Sequence, residues 1–122
     1  MKINSYQDLI VWQKAVELVV EIYKLTRSFP KSETYGLTSQ MRRAAVAIPS
    51  NIAEGYRRKH TKEYIQFLSI ANGSAAELET QIVVAKQLEE TKKLNFQKAS
   101  SLLEEVLKML NVLISNLSKQ KM

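Results

Sequence analysis

Apolar residues recur at steps of three and four in four successive segments, the spacing that lines side chains along one side of an α-helix. The first segment runs from about Asp8 to Arg27 and places Trp12, Ala15, Val16, Val19, Ile22, Tyr23 and Thr26 on one stripe. Asp8 suits its start as a cap or first-turn acid, and Pro30 prevents continuation beyond Phe29. The second runs from about Leu37 to Arg57, with Leu37, Met41, Ala44, Ala45, Ile48, Ile52 and Ala53 turned inward. The third, about Thr61 to Glu89 with Thr61 as N-cap, carries Tyr64, Phe67, Leu68, Ala71, Ala75, Leu78, Ile82, Ala85 and Leu88. The fourth, from Asn95 as cap to about Lys119, turns Ala99, Leu102, Leu103, Val106, Leu110, Leu113 and Leu117 inward. Short connections between such helices force antiparallel neighbours. The expected fold is all-α: one domain over residues 1–122, an antiparallel up-down-up-down four-helix bundle.

Two features depart from this pattern. Pro49 falls inside the second helix, where it removes a ladder bond and crowds the carbonyl four residues back, at a cost of about 3 kcal/mol. The apolar period continues across it in phase, so a kink is expected rather than a break, with Ser50 and Asn51 placed to satisfy freed carbonyls. The first and fourth helices also carry more apolar residues than one stripe needs. Val11, Leu18 and Leu25 on the first, and Leu107, Met109 and Ile114 on the fourth, are expected at a subunit interface, with packing against the loops the alternative for the first three.

Composition narrows the chemistry. The chain has 122 residues, 45% apolar and 25% charged, which is globular composition, and three Gly and two Pro leave room for few breaks. It has no Cys, which excludes a disulfide framework and thiolate chemistry. No apolar run reaches membrane-spanning length and the first residues lack a secretory leader's pattern, so a cytoplasmic protein without a membrane segment is expected. The single His, His60, lies in a basic turn, and no Glu-x-x-His pair of the di-iron bundles is present. Glu77 and Glu79 are two apart and face different sides of a helix. Gly36, Gly55 and Gly73 stand alone, without a phosphate-binding loop. No catalytic residue, metal or cofactor is expected.

The charge points elsewhere. Net charge is +6, and residues 1–62 hold eleven Lys/Arg against five Asp/Glu, whereas residues 63–122 hold seven against seven. An excess confined to one half suggests an anionic partner, nucleic acid first. The candidate contacts are Arg42, Arg43, Arg57, Arg58, Lys59 and Lys62, since guanidinium forks and ammonium groups suit phosphates. Tyr56 and Tyr64 flank the basic turn and could stack on unpaired bases, although Tyr64 also lies on the apolar period. Glu54 and Arg58 are spaced for an ordinary i,i+4 pair. Trp12 on its apolar stripe reads as core or interface anchor.

The segments Tyr6–Pro30 (YQDLIVWQKAVELVVEIYKLTRSFP), Tyr35–Arg58 (YGLTSQMRRAAVAIPSNIAEGYRR) and Glu63–Ile82 (EYIQFLSIANGSAAELETQI) together resemble the 23S rRNA-intervening-sequence proteins. The pairing of Trp12-Gln13-Lys14-Ala15 with Asn51-Ile52-Ala53-Glu54-Gly55 is the most specific part, and Pro49 lies in the same block. The resemblance implies a four-helix bundle assembling as a homopentamer, some members being encoded inside sequences that interrupt bacterial 23S rRNA genes. No molecular function is established for such proteins. A related branch, accessory proteins of diversity-generating retroelements, associates with a reverse transcriptase and nucleic acid through a basic surface. Arg42, Arg43, Asn51, Glu54, Gly55, Arg57 and Arg58 fall in the most recognisable block, and the resemblance carries no catalytic role to any of them. Two functions are therefore expected: a non-enzymatic homo-oligomer that binds RNA or single-stranded DNA, or a protein–protein scaffold that ignores nucleic acid.

Overall fold

The computed structural model describes residues 2–120, and all regular structure among them is helical. Four long helices follow in order: α1 (Ile10–Thr26), α2 (Ser39–Tyr56), α3 (Thr61–Gln87) and α4 (Gln97–Gln120). Each packs against the next, and α1 also packs against α4, which closes a ring with α1 and α3 on one diagonal. This is the expected four-helix bundle. Its centre is filled by Leu18 and Ile22 of α1, Met41, Ile48 and Ile52 of α2, Leu68 and Leu78 of α3, and Val106 and Leu110 of α4, all fully buried.

The contact between α2 and α3 is the most extensive. Small residues allow it, since Ala44 and Ala45 of α2 and Ala71 and Ala75 of α3 are all buried. Gly55 marks the tightest point. A β-carbon there would lie 2.7 Å from Phe67 Cβ and 3.2 Å from the Tyr64 carbonyl oxygen, so only glycine fits without movement.

Three sequence expectations change. Asp8 does not cap α1. Residues Tyr6–Asp8 form a separate 3-10 turn, in which Ser5 Oγ accepts from the Gln7 N–H (3.1 Å) and the Asp8 carboxylate accepts from the Asn4 and Ser5 N–H groups (2.8 and 3.3 Å). Second, the buried stripe of α1 is Val11, Ala15, Leu18, Ile22 and Leu25, spaced four-three-four-three, while Trp12, Val16 and Val19 are half-buried and Tyr23 is exposed. Val11, Leu18 and Leu25 are thus core residues of one chain, not a subunit interface. The helix is apolar around more than half its circumference, and packing against both α2 and α4 selects the phase. Leu107, Met109 and Ile114 of α4 are likewise partly buried against the same core. Third, Thr61 opens α3 as its first residue and the cap position is His60, whose side chain makes no capping bond.

Helix α2 runs through the buried Pro49 as one element. Pro49 removes the donor to the Ala45 carbonyl, and the expected compensation is not made there: Asn51 Nδ2 donates to the Ala47 carbonyl (2.7 Å), four residues before it. Asn95 does act near the start of α4, its Oδ1 accepting from the Gln97 N–H (3.0 Å). No helix among the described residues is long and apolar enough to cross a membrane.

Candidate nucleic-acid interface

The chain reverses between Tyr56 and Thr61, so Arg57, Arg58, Lys59, His60 and Lys62 gather at one end of the bundle. The carbonyl end of α2 points there and favours cations by its partial negative charge. The 3-10 turn before α1 reaches the same end and brings Tyr6 beneath Arg57, whose guanidinium carbon lies 5.3 Å from the ring centroid. Tyr6 is held in turn by the edge of Trp12, with centroids 5.3 Å apart and planes at 67°. The Gln13 side chain secures the turn by donating to the Gln7 carbonyl (2.8 Å).

Arg58 is held on two sides. Its Nη2 donates to Glu54 Oε2 (2.8 Å), and its guanidinium carbon lies 4.8 Å from the centroid of Phe67. The ion pair is exposed on both partners, so it contributes under about 1 kcal/mol and yields readily to a ligand. Between the 3-10 turn and the last turns of α2 lies an open cleft of about 500 Å³, lined by Tyr6, Ala53, Glu54, Arg57 and Arg58. Lys59, in the turn that follows Arg58, and Lys62, in the first turn of α3, are exposed, and neither is ion-paired among the described residues.

The other predicted contacts lie elsewhere. Arg42 and Arg57 are fifteen residues apart along α2 and its C-terminal cap, about 22 Å at the helical rise, so the six cations do not form one patch. Arg42 is moreover engaged within the chain. Its Nε donates to Thr26 Oγ1 (2.9 Å), one Nη donates to the Tyr23 carbonyl (3.4 Å), and the guanidinium covers the Tyr23 ring at 4.5 Å. Thr26 Oγ1 itself donates to the Ile22 carbonyl (2.7 Å). Arg42 therefore ties the end of α1 to α2, while Arg43 is exposed. Tyr56 and Tyr64 pack edge to face, centroids 6.0 Å apart, and do not line the cleft. Burial pushes the Tyr64 phenol up to about 12, with Tyr56 adding to the shift. The aromatic ring at the cleft is Tyr6, which the apolar period did not single out.

Residues 7–112 match the profile of the 23S rRNA-intervening sequence proteins, which is most of the chain and includes the cleft except for Tyr6. The chain belongs to that family. No curated protein matches it in sequence. The 23S rRNA-intervening sequence proteins are not a known enzyme family, and among the described residues no cluster of His, Cys, Asp or Glu could hold a metal ion. The basic end of this family member places two guanidinium groups, one aromatic ring and a carboxylate around an open cleft.

Proposed function

We propose that this 23S rRNA-intervening sequence protein is a non-enzymatic, self-assembling bundle that binds RNA or single-stranded DNA at the end where α2 meets α3. The observation that supports this is the convergence of Tyr6, Arg57 and Arg58 on one cleft, with the exposed Lys59 and Lys62 in the chain reversal that follows. Cations take phosphates without regard to sequence, and an aromatic ring beside them accepts the face of an unpaired base. Binding of this kind weakens steeply with salt. Changing Arg57, Lys59 and Lys62 together to Gln should lower affinity for a labelled single-stranded oligonucleotide and reduce the slope of log K against log salt by about 2 to 3. Equal binding by this variant and the parent across a salt series would refute the assignment.

Self-assembly rests on a different observation. Residues 64–76 contain no charged side chain, although a quarter of the chain is charged. Part of that run faces outward: Ile70 is half exposed, and a β-carbon on Gly73 would meet nothing within 4 Å. Val83 and Val84 extend the exposed apolar surface towards the end of α3. A helix apolar on two sides needs two partners, and its own chain supplies one. The outer face of α3 is accordingly where a second copy docks, since the α1 residues the sequence suggested are buried within one chain. The homopentamer is the assembly the family resemblance supplies, and a ring would repeat the basic end five times for avidity. Uncharged surface of this kind suits a protein, so a protein partner such as a reverse transcriptase would compete for the α3 face and not for the cleft. Light scattering with and without RNA tests both halves. A discrete oligomer indifferent to RNA at low salt would leave a scaffold without nucleic-acid binding, and a monomer at all concentrations would remove the assembly.

A further inference from the structure

Glu54 is out of place on a surface that takes phosphates alone, because a carboxylate in the cleft repels them. It nevertheless sits among the lining residues, one helical turn from Arg58 and across from Tyr6. Its Oε2 takes the single bond from Arg58, and its Oε1 accepts no hydrogen bond among the described residues. A carboxylate has lone pairs to spare on both oxygens, so a second donor group can be accepted without displacing Arg58.

From this arrangement we infer that the cleft is a pocket for one unpaired guanine of a single-stranded nucleic acid. This inference rests on the nucleic-acid reading above and adds the ligand's identity to it. Guanine presents two adjacent donors, N1–H and the N2 amine, on its Watson–Crick edge, and a carboxylate presents two adjacent acceptors. Adenine and cytosine place an acceptor nitrogen beside a single donor group, and uracil has one donor flanked by two acceptors, so each sets a lone pair against Glu54. Single-stranded bases are commonly read on this edge while their faces stack on aromatic rings and guanidinium planes. Here the Tyr6–Arg57 stack forms the wall against which the base lies, and a cleft of about 500 Å³ is large enough for a purine nucleoside. The flanking phosphates then fall to Arg57, Lys59 and Lys62, whose three positive charges outweigh the single Glu54 carboxylate.

The test uses the whole protein and four labelled twelve-residue oligouridines that differ only at one central position: guanine, inosine, adenine or none changed. Fluorescence anisotropy should rank guanine first by about tenfold over adenine and uracil, the discrimination one good bidentate contact provides. Inosine, which lacks the N2 amine, should fall between them. Glu54→Gln should abolish the preference for guanine, because an amide sets one donor and one acceptor against that edge where the carboxylate set two acceptors. Circular dichroism confirms that the variant remains helical. If the parent binds all four oligonucleotides equally, or if Glu54→Gln keeps the ranking, the guanine pocket is wrong and the basic surface stands. If none of the four binds even at low salt, the reading beneath it fails as well.

Discussion

Two glycines in the same bundle should respond to alanine with opposite signs. In a helix, Gly→Ala gains about 1 kcal/mol from backbone propensity, whatever the surroundings. At Gly73 the added methyl group meets open space, so the whole gain should appear. For a domain of this size that is a rise in thermal midpoint of about 4 °C. At Gly55 the same methyl group would lie 2.7 Å from Phe67 Cβ and 3.2 Å from the Tyr64 carbonyl oxygen. Neither atom can swing aside, because one is a β-carbon and the other is backbone of α3. Overpacking of this kind costs about 1–3 kcal/mol, and α2 would have to separate from α3 along their most extensive contact. Set against the propensity gain, a net destabilisation of up to about 2 kcal/mol should follow at Gly55. The assay is urea and thermal unfolding followed by helical circular dichroism, at a dilution where light scattering reports the smallest species. Stabilisation by Gly55→Ala would refute the close α2–α3 approach, and loss of stability in Gly73→Ala at that dilution would refute the open surface. On the proposed docking at α3, Gly73→Ala should at higher concentration shift the assembly towards smaller species, and an unchanged size distribution would count against that docking.

Leu18→Asp should abolish folding, since Leu18 is fully buried within one chain, whereas Ile70→Asp should leave helix content intact and dissociate the oligomer; sedimentation and circular dichroism together separate the two. Arg42→Ala should lower unfolding stability by about 1–2 kcal/mol in urea titrations, through loss of its bonds to Thr26 and Tyr23, and leave oligonucleotide affinity unchanged. The Tyr64 phenol, held neutral by burial, ionises more easily in the unfolded chain, at 10.0, than in the folded one, at about 12. Its stabilising effect is therefore complete below pH 10 and is lost as pH rises towards 12, and Tyr64→Phe should flatten the fall in unfolding stability over that window.

The helices were legible because few glycines and prolines interrupt strong three-and-four periodicity, and the turn chemistry at Asn95 and around Arg57 is local. The rotational phase of α1 was not. Ala15 and Ile22 belong to both possible stripes, and only the presence of α2 on one side and α4 on the other decides that Leu18 goes inward and Val16 does not. Tyr6 escaped for a related reason: it precedes the periodic segment. The Ser5-Tyr6-Gln7-Asp8 spacing is a reciprocal capping signature, and it would have separated a turn from the helix and hinted that the chain doubles back there. Which cations are free is a tertiary fact. Arg42 and Arg57 look alike in sequence, yet one is bonded to Thr26 and the other faces a cleft.

The block from Arg42 to Arg58, which carries the clearest family signature, therefore holds three separable tasks. Arg42 fastens α1 to α2 at one end, Gly55 lets α3 approach, and Glu54, Arg57 and Arg58 line the cleft at the other end. The middle task physically supports the third. Close approach at Gly55 brings Phe67 within reach of Arg58, and the Phe67 ring then holds the guanidinium that orients Glu54. A substitution at Gly55 should thus weaken both stability and cleft binding, one at Arg42 stability alone, and one at Arg57 binding alone. That asymmetry follows from geometry, since Arg42 and Arg57 stand about 22 Å apart while Gly55 is adjacent to the lining residues. Equal loss of binding in Arg42→Ala and Arg57→Ala, at full folding, would mean that the ligand spans the length of α2 rather than occupying its end.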